Sequence, residues 1–322
     1  MALSNMTVFN KYVSESAVEL LAQMVDKFNA SSNGALVLTA EGFDGDFFER
    51  SFYSTLESAR RRVDRYAAND AVAATSLAQI KEASVKVAGG FGPVLFEPAQ
   101  MTWMMKNEAE AVEVISRNLA QGILQDQLNT AVACLVAAIS NQSAAKNDVS
   151  ATAGLSYTAI NDAHALFGDS SLNLVAQVMN GTAYHKLIGT NLTNTPQLFQ
   201  AQNVLVVDIL GKPVIVTDVP ALYAAGSPNL LKVLSLSTQA AVISDAGDLV
   251  TNIETSNGKG RIETTMQADY SFGVGLKGYT WDTANGGKSP TDAELATGTN
   301  WDKTASSIKH TAGVITIGDA AK

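Results

Sequence analysis

The hydrophobic positions of this chain change period along its length, and the longest regular stretch lies between Asn107 and Gln142. There Val112, Ile115, Leu119, Ile123, Leu124, Leu128, Val132, Leu135, Val136 and Ile139 recur at steps of three, four or one. That spacing puts them on one apolar stripe of a helix. At 1.5 Å per residue the helix spans about 50 Å, far beyond the mean of about 11–12 residues. Glu108, Glu110, Glu113, Arg117, Gln125, Asp126 and Asn129 interrupt it and no strict heptad is kept, so a coiled coil and a membrane span both fit poorly. The pattern predicts a spine against which strands or neighbouring subunits pack.

Ahead of the spine, a helix is expected from Ser14 to Phe28. The capping-box pattern Ser16-x-x-Glu19 opens it, and Val18, Leu21, Val25 and Phe28 lie on one face. It ends at Asn29–Gly34, and Ala35–Thr39 reads as a strand. Glu41–Pro98 has no consistent core period. A stretch that long is either disordered or an arm whose partners lie on another chain, and its aromatics Phe43, Phe47, Phe48, Phe52 and Tyr53 favour the arm.

Beyond the spine, Ser143–Gly154 reads as a small-residue linker, Tyr157–Phe167 as a helix, Leu174–Met179 as a strand and Tyr184–Ile188 as a short helix or turn. Val204–Asp208 and Val214–Thr217 form a strand pair joined through Leu210–Pro213. Further strands are expected at Lys232–Leu236, Ala240–Ile243, Arg261–Gly275 and Val314–Ile317. The polar stretch Thr283–Thr304 is expected to be an exposed loop. No repeat of fixed period is visible, which speaks against a solenoid or propeller.

Composition narrows the class. Of 322 residues, 46% are hydrophobic and only 16% charged, against about 25% charged in average globular proteins. A shortage of charge on a chain this large implies that much of its surface faces other protein, and self-association is the simplest cause. A net charge of −9 and a pI near 4.8 argue against a protein that grips nucleic acid through counterion release. The single cysteine, Cys134, sits in the spine pattern, where it reads as a small buried hydrophobe. The opening MALSNMTVFNKYVSES has no basic region followed by an apolar core, so no signal peptide is expected. The protein is expected to be made and kept in a cytosol, or inside something assembled there.

Little in the sequence points to catalysis. Gly273-x-Gly275-x-x-Gly278 matches the dinucleotide fingerprint by letter, but its flanks stay strand-like on both sides, so it is expected to mark a bent or closely packed strand. His164, His185 and His310 have no second ligand at three- or four-residue spacing, and Asp44-Gly-Asp46 lacks the rest of a calcium loop. No Gly-x-Ser-x-Gly elbow is present. No catalytic residue, cofactor or metal is expected, and the chain is not expected to be an enzyme. The cluster Arg60, Arg61, Arg62 and Arg65 has two readings. On a helix, Arg61, Arg62 and Arg65 would share one side with Glu57 as a solvated, partly self-paired face. Alternatively they pair with acidic groups on a neighbouring subunit, or line a surface that meets packaged nucleic acid. With Phe47 and Phe48 they are the candidate subunit-interface residues.

The order of these parts resembles a known family. The Gly89–Trp103 lead-in, the spine, and a block containing Val175-Ala-Gln-Val-Met179, Tyr184-His-Lys-Leu187 and Gly211-Lys-Pro-Val-Ile-Val-Thr-Asp218 are similar to the major capsid protein of tailed bacteriophages, with its Hong Kong ninety-seven type fold. The resemblance implies an α+β chain with an N-terminal arm over 1–34, an extended loop over 35–102 and a spine helix over 103–150 in a peripheral domain. An axial α/β domain over 151–248 follows, and strands over 249–322 return to the peripheral domain. It implies pentamers and hexamers that build an icosahedral head shell around double-stranded DNA, contacted non-specifically. It further implies a separate scaffolding protein, a portal, no membrane, and a place in the virion after assembly in the host bacterial cytoplasm. Some members join subunits by a Lys–Asn bond; Lys81 and Lys86 lie in the loop, but no acceptor Asn or activating Glu matches. An encapsulin-like compartment shell or a phage tail-tube protein is the alternative reading.

Overall fold

The computed structural model describes residues 3–39, 47–53, 61–66, 68, 71–72, 79–96, 108–194, 208–209, 212–258 and 260–322. Helix α1 (Leu3–Ser31) leads into strand β1 (Leu36–Thr39), then β2 (Phe47–Tyr53) and the long β3 (Gln79–Phe96). The spine is α2 (Glu108–Ser140), 33 residues. Strand β4 (Lys146–Asp148), α3 (Tyr157–Ala165), β5 (Leu174–Met179), α4 (Gly181–Asn194), β6 (Asp208–Ile209) and β7 (Lys212–Val216) follow. The chain closes with β8 (Tyr223–Ala224), β9 (Leu230–Ser237), β10 (Ala241–Asp245), β11 (Val250–Ser256), β12 (Glu263–Leu276), β13 (Tyr279–Trp281), α5 (Asp292–Leu295), β14 (Trp301–Lys303) and β15 (Gly313–Asp319).

These strands form two main sheets. The first runs β1-β10-β12-β3-β2 with β11 beside β12, and the second runs β4-β15-β9-β5-β7-β6 with β8 beside β9. Strand β10 belongs to the first sheet and β15 to the second, so the chain crosses between sheets more often than consecutive segments would. The spine helix packs on β15 of the second sheet, on β10 and β12 of the first, and along α1. One continuous core therefore joins Ala120, Ile123, Leu135 and Ile139 of α2 to Val85, Phe272 and Val274 on one side and Leu234, Leu236 and Ile315 on the other.

The spine stripe is observed with one change. From Thr130 to Ile139 only Ala133 escapes burial, so the last turns are enclosed on every side. The stretch Val112–Ser140 is long and apolar enough to cross a membrane by length and composition, yet in its most apolar 18 residues 61% are buried inside the protein.

Several local expectations change. Helix α1 begins well before Ser16, so Ser16-x-x-Glu19 lies inside it and caps nothing. Its buried row is Val13, Ala17 and Leu21, while Val18 is 46% exposed. Packing against α2 sets this face, and Ser116 Oγ of α2 donates to the Val13 carbonyl at 3.1 Å. At the other end of α1, Asn29 donates to the Leu38 carbonyl and accepts from the Leu38 amide, at 2.8 and 3.0 Å, and so fastens the helix to β1.

The stretch Glu41–Pro98 is not a coreless arm throughout. Val85 and Val87 are buried opposite Val274 and Phe272 of β12, so β3 is an inner strand of the first sheet. Ser143–Gly154 is not simply a linker, because β4 pairs in parallel with β15. Thr283–Thr304 is not simply an exposed loop. Trp301 is 1% exposed and meets Trp281 edge to face at 4.9 Å, and the reciprocal capping box Thr291…Glu294 starts α5. Gly273 and Gly275 lie within β12 and Gly278 in the turn to β13, so the fingerprint is strand and not a phosphate loop. Asp44-Gly-Asp46 and Val204–Val207 lie outside the described residues.

Candidate subunit-interface surfaces

The spine is locked to the first sheet by an aromatic stack. Tyr270 of β12 lies between Phe91 and Phe272, with ring centroids 5.5 and 6.2 Å away. Two glycines make room. A Cβ at Gly89 would sit 2.7 Å from the Tyr270 ring, and one at Gly122 of α2 would sit 2.9 Å from Phe91. The Tyr270 hydroxyl donates to Asp126 Oδ2 of α2 at 2.6 Å. Burial raises the Asp126 pKa; the Tyr270 hydrogen bond opposes this and the Asp292 charge adds to it. Burial and Asp126 push the Tyr270 hydroxyl up as well.

The second sheet holds another buried polar pair, His164 Nε2 and Ser235 Oγ at 2.9 Å. Burial, helped by Lys212, lowers the His164 pKa to about 4, so the ring is neutral. Ser235 has no exposed surface and His164 only 7%. A nucleophile and base need a site where substrate can sit within reach; this enclosed pair instead satisfies two core polar groups. Cys134 is fully buried and its thiol pKa is pushed upward by burial, which keeps it inert. Among the described residues no group of His, Cys, Asp and Glu could hold a metal ion.

Arg61, Arg62 and Arg65 lie in an irregular exposed segment, not on a helix, so the shared helical face with Glu57 does not arise. Arg60 and Glu57 lie outside the described residues. Phe47 and Phe48 occupy β2, whose backbone pairs with Val85 and Ser84 of β3; their side chains are outside the description. Within the segment the Tyr66 amide donates to Asp64 Oδ1 at 2.9 Å, an Asx-type turn that bends the chain. The Arg65 guanidinium sits 5.9 Å from the Tyr66 ring centroid. Val63 is 66% and Tyr66 91% exposed. Lys86 is engaged by Asp248 at 3.6 Å.

Sequence reasoning missed a cleft on the spine. Residues Gln121, Leu124, Gln125, Leu128 and Asn129 follow the helical repeat along one face of α2, and with Thr217 and Asp218 beyond β7 they enclose about 320 Å³. Leu124 and Leu128 also pack against the main core, so they form an apolar floor. Asp218 Oδ1 accepts from the Gly181 amide at the start of α4, at 3.2 Å, which holds the carboxylate at the rim. The stripe itself was legible, but the wall at 217–218 arrives from the other sheet.

Similarity to known proteins places this architecture. A family profile described as Gp13-like, Major capsid protein 13-like, matches residues 5–315. The chain belongs to the Gp13-like major capsid protein family. The cyanophage Pam1 capsid asymmetric unit superposes with a TM-score of 0.54 at 14% identity, over 89% of this chain and 88% of that one. The acid-stable capsid of Helicobacter pylori bacteriophage KHP30 gives 0.51 at 8% identity, over 90% and 89%. Mycobacterium phage Adephagia gives 0.51 at 10% identity, over 88% and 87%. A comparison with curated protein sequences returns no match. The mixed helix and sheet fold is thus that of tailed-phage capsid proteins, and this major capsid protein is a structural component of the phage capsid shell.

Proposed function

We propose that copies of this protein associate into pentamers and hexamers that close an icosahedral head around double-stranded DNA. The observation that carries this reading is the exposed segment Arg61–Tyr66. It presents three guanidinium groups, Val63 and an almost fully exposed Tyr66, all uncovered among the described residues. Tyr and Arg are the residue types enriched where protein surfaces meet. On this reading the segment Arg61–Tyr66 between β2 and β3 meets a neighbour, and Arg60, Arg61, Arg62, Arg65, Phe47 and Phe48 are the proposed interface residues. The second sheet with α3 and α4 forms the axial domain, and the spine with the first sheet forms the peripheral domain. The protein acts by geometry and not by catalysis. A chain of net charge −9 suits a container that holds DNA without binding it tightly. A separate scaffolding protein and a portal complete assembly in the host cytoplasm.

Expression of the chain alone and with its phage's neighbouring structural proteins, followed by electron microscopy of the purified product, tests this. Closed shells with fivefold and sixfold capsomers are expected, and shells from infected cells should contain DNA. Open tubes, or shells filled with protein cargo, would overturn the reading.

A further inference from the structure

The spine cleft and the segment Arg61–Tyr66 complement each other. The cleft has an apolar floor of Leu124 and Leu128, amide side chains of Gln125 and Asn129, and the Asp218 carboxylate at its rim. Its volume, about 320 Å³, is at the lower end of the range of about 300–1,000 Å³ in which compact ligands sit. An aromatic ring with a guanidinium over it is a group of suitable size. The chain carries that group on Arg65 and Tyr66, already within 5.9 Å of each other. Tyr66 is 91% exposed, so its own subunit does not fill the cleft with it.

We infer that the spine cleft of one subunit receives Arg65 and Tyr66 of a second copy of this chain. The Tyr66 ring covers Leu124 and Leu128, and the Arg65 guanidinium meets Asp218 Oδ2, since Oδ1 already accepts the Gly181 amide. Gln125 and Asn129 offer amide oxygens to the remaining guanidinium protons. Cleft and segment lie at different places on one chain, so the contact is head-to-tail and can close a ring. The assignment rests on the interface reading above and names the surface that the arginine segment meets.

Paired cysteines at Tyr66→Cys and Gln125→Cys test it in assembled particles. Cys134 is buried and adds no background. Mild oxidation should give a ladder of covalent multimers on a non-reducing gel, with none from either single variant. Tyr66→Ala should raise the subunit concentration needed for assembly at least about tenfold with subunit melting unchanged, and Tyr66→Phe should behave nearly as wild type. Arg65→Asp should block assembly and Asp218→Arg should restore it in combination. A covalent monomer of altered mobility would show that the chain fills its own cleft, and would overturn the inference. So would particles of the double-cysteine variant that give no ladder, or dimers from Tyr66→Cys alone. If the cross-link fails while Arg61, Arg62 and Arg65→Gln impairs assembly, only the cleft assignment falls. Normal assembly of that triple variant removes the interface reading and the inference with it.

Discussion

The two sheets share one spine helix and differ in how much of themselves they cover. In the second sheet every residue of β15 is buried, and so are six of the eight residues of β9. Its faces are closed by α2 on one side and by α3 and α4 on the other, where Ile160, Ala183 and Leu187 meet Leu231 and Val233. Strands covered on both faces read as nearly continuous apolar runs, as in Gly313-Val-Ile-Thr-Ile317. In the first sheet β11 alternates, with Thr251 and Ile253 turned inward and Val250, Asn252 and Glu254 outward. Val250 is 65% and Leu95 54% exposed on that outer side. The central strands β15 and β9 of one sheet are covered within the subunit, whereas the other sheet keeps a face for solvent or a neighbour.

The strongest challenge to this comparison strikes the core that both sheets share. Leu135 has no exposed surface, so Leu135→Asp buries an unpaired carboxylate at a cost of several kcal/mol, comparable with a domain stability of roughly 5–15 kcal/mol. No soluble protein is expected. Wild-type soluble yield would mean that the spine is not the common floor.

A paired truncation separates the sheets directly. Leu234→Ala in the enclosed sheet should cost about 2–5 kcal/mol, and Val250→Ala on the open face should stay within about 0.5 kcal/mol. Denaturant unfolding of the two variants measures both, and equal losses would erase the distinction.

The link from spine to open sheet is expected to be weaker than either core. Tyr270→Phe leaves the Asp126 carboxylate without its phenolic donor, which should cost about 1–3 kcal/mol. Unchanged melting would show that the stacked rings alone hold the sheet to α2.

The smallest effect concerns pH. Burial, partly offset by Tyr270 and reinforced by Asp292, raises the Asp126 pKa above its unfolded value. The folded state therefore keeps its proton to higher pH than the unfolded chain does. Stability is lost as pH rises from the ordinary carboxylate value through the raised one, and acidification restores it. Asp126→Asn keeps an acceptor for Tyr270 and removes the charge, so it should flatten the pH dependence of unfolding in that window. The same slope in wild type and variant would place the penalty elsewhere.

How far the sequence reached depended on whether a signal was local. Leu174–Met179 and the spine were legible because dense apolar residues fix both period and burial. The strand β11, Val-Thr-Asn-Ile-Glu-Thr-Ser, was not expected, because only Thr251 and Ile253 mark its inner face and its outer face is polar. The polar neighbours of Trp301 predict a loop, although Thr291-x-x-Glu294 signals a helix start nearby. The stretch Glu41–Pro98 looked coreless because Val85 and Val87 are buried by β12, about 185 residues later in the chain. Of the interface candidates, Arg61, Arg62 and Arg65 are exposed, while the cleft proposed to receive Arg65 needed a wall from 217–218.

By itself the sequence determined the spine, the densely apolar strands such as Leu174–Met179, the low charge and the resemblance to tailed-phage capsid proteins. These follow from side-chain period and composition, which each segment carries in its own residues. Only the tertiary structure decided which strands share a sheet, that β15 completes the second sheet beside β9, and that Tyr270, Asp126 and Phe91 meet. Those outcomes depend on long-range pairing, where backbone hydrogen bonds and the closing of gaps around the spine select among partners that local patterns leave equivalent.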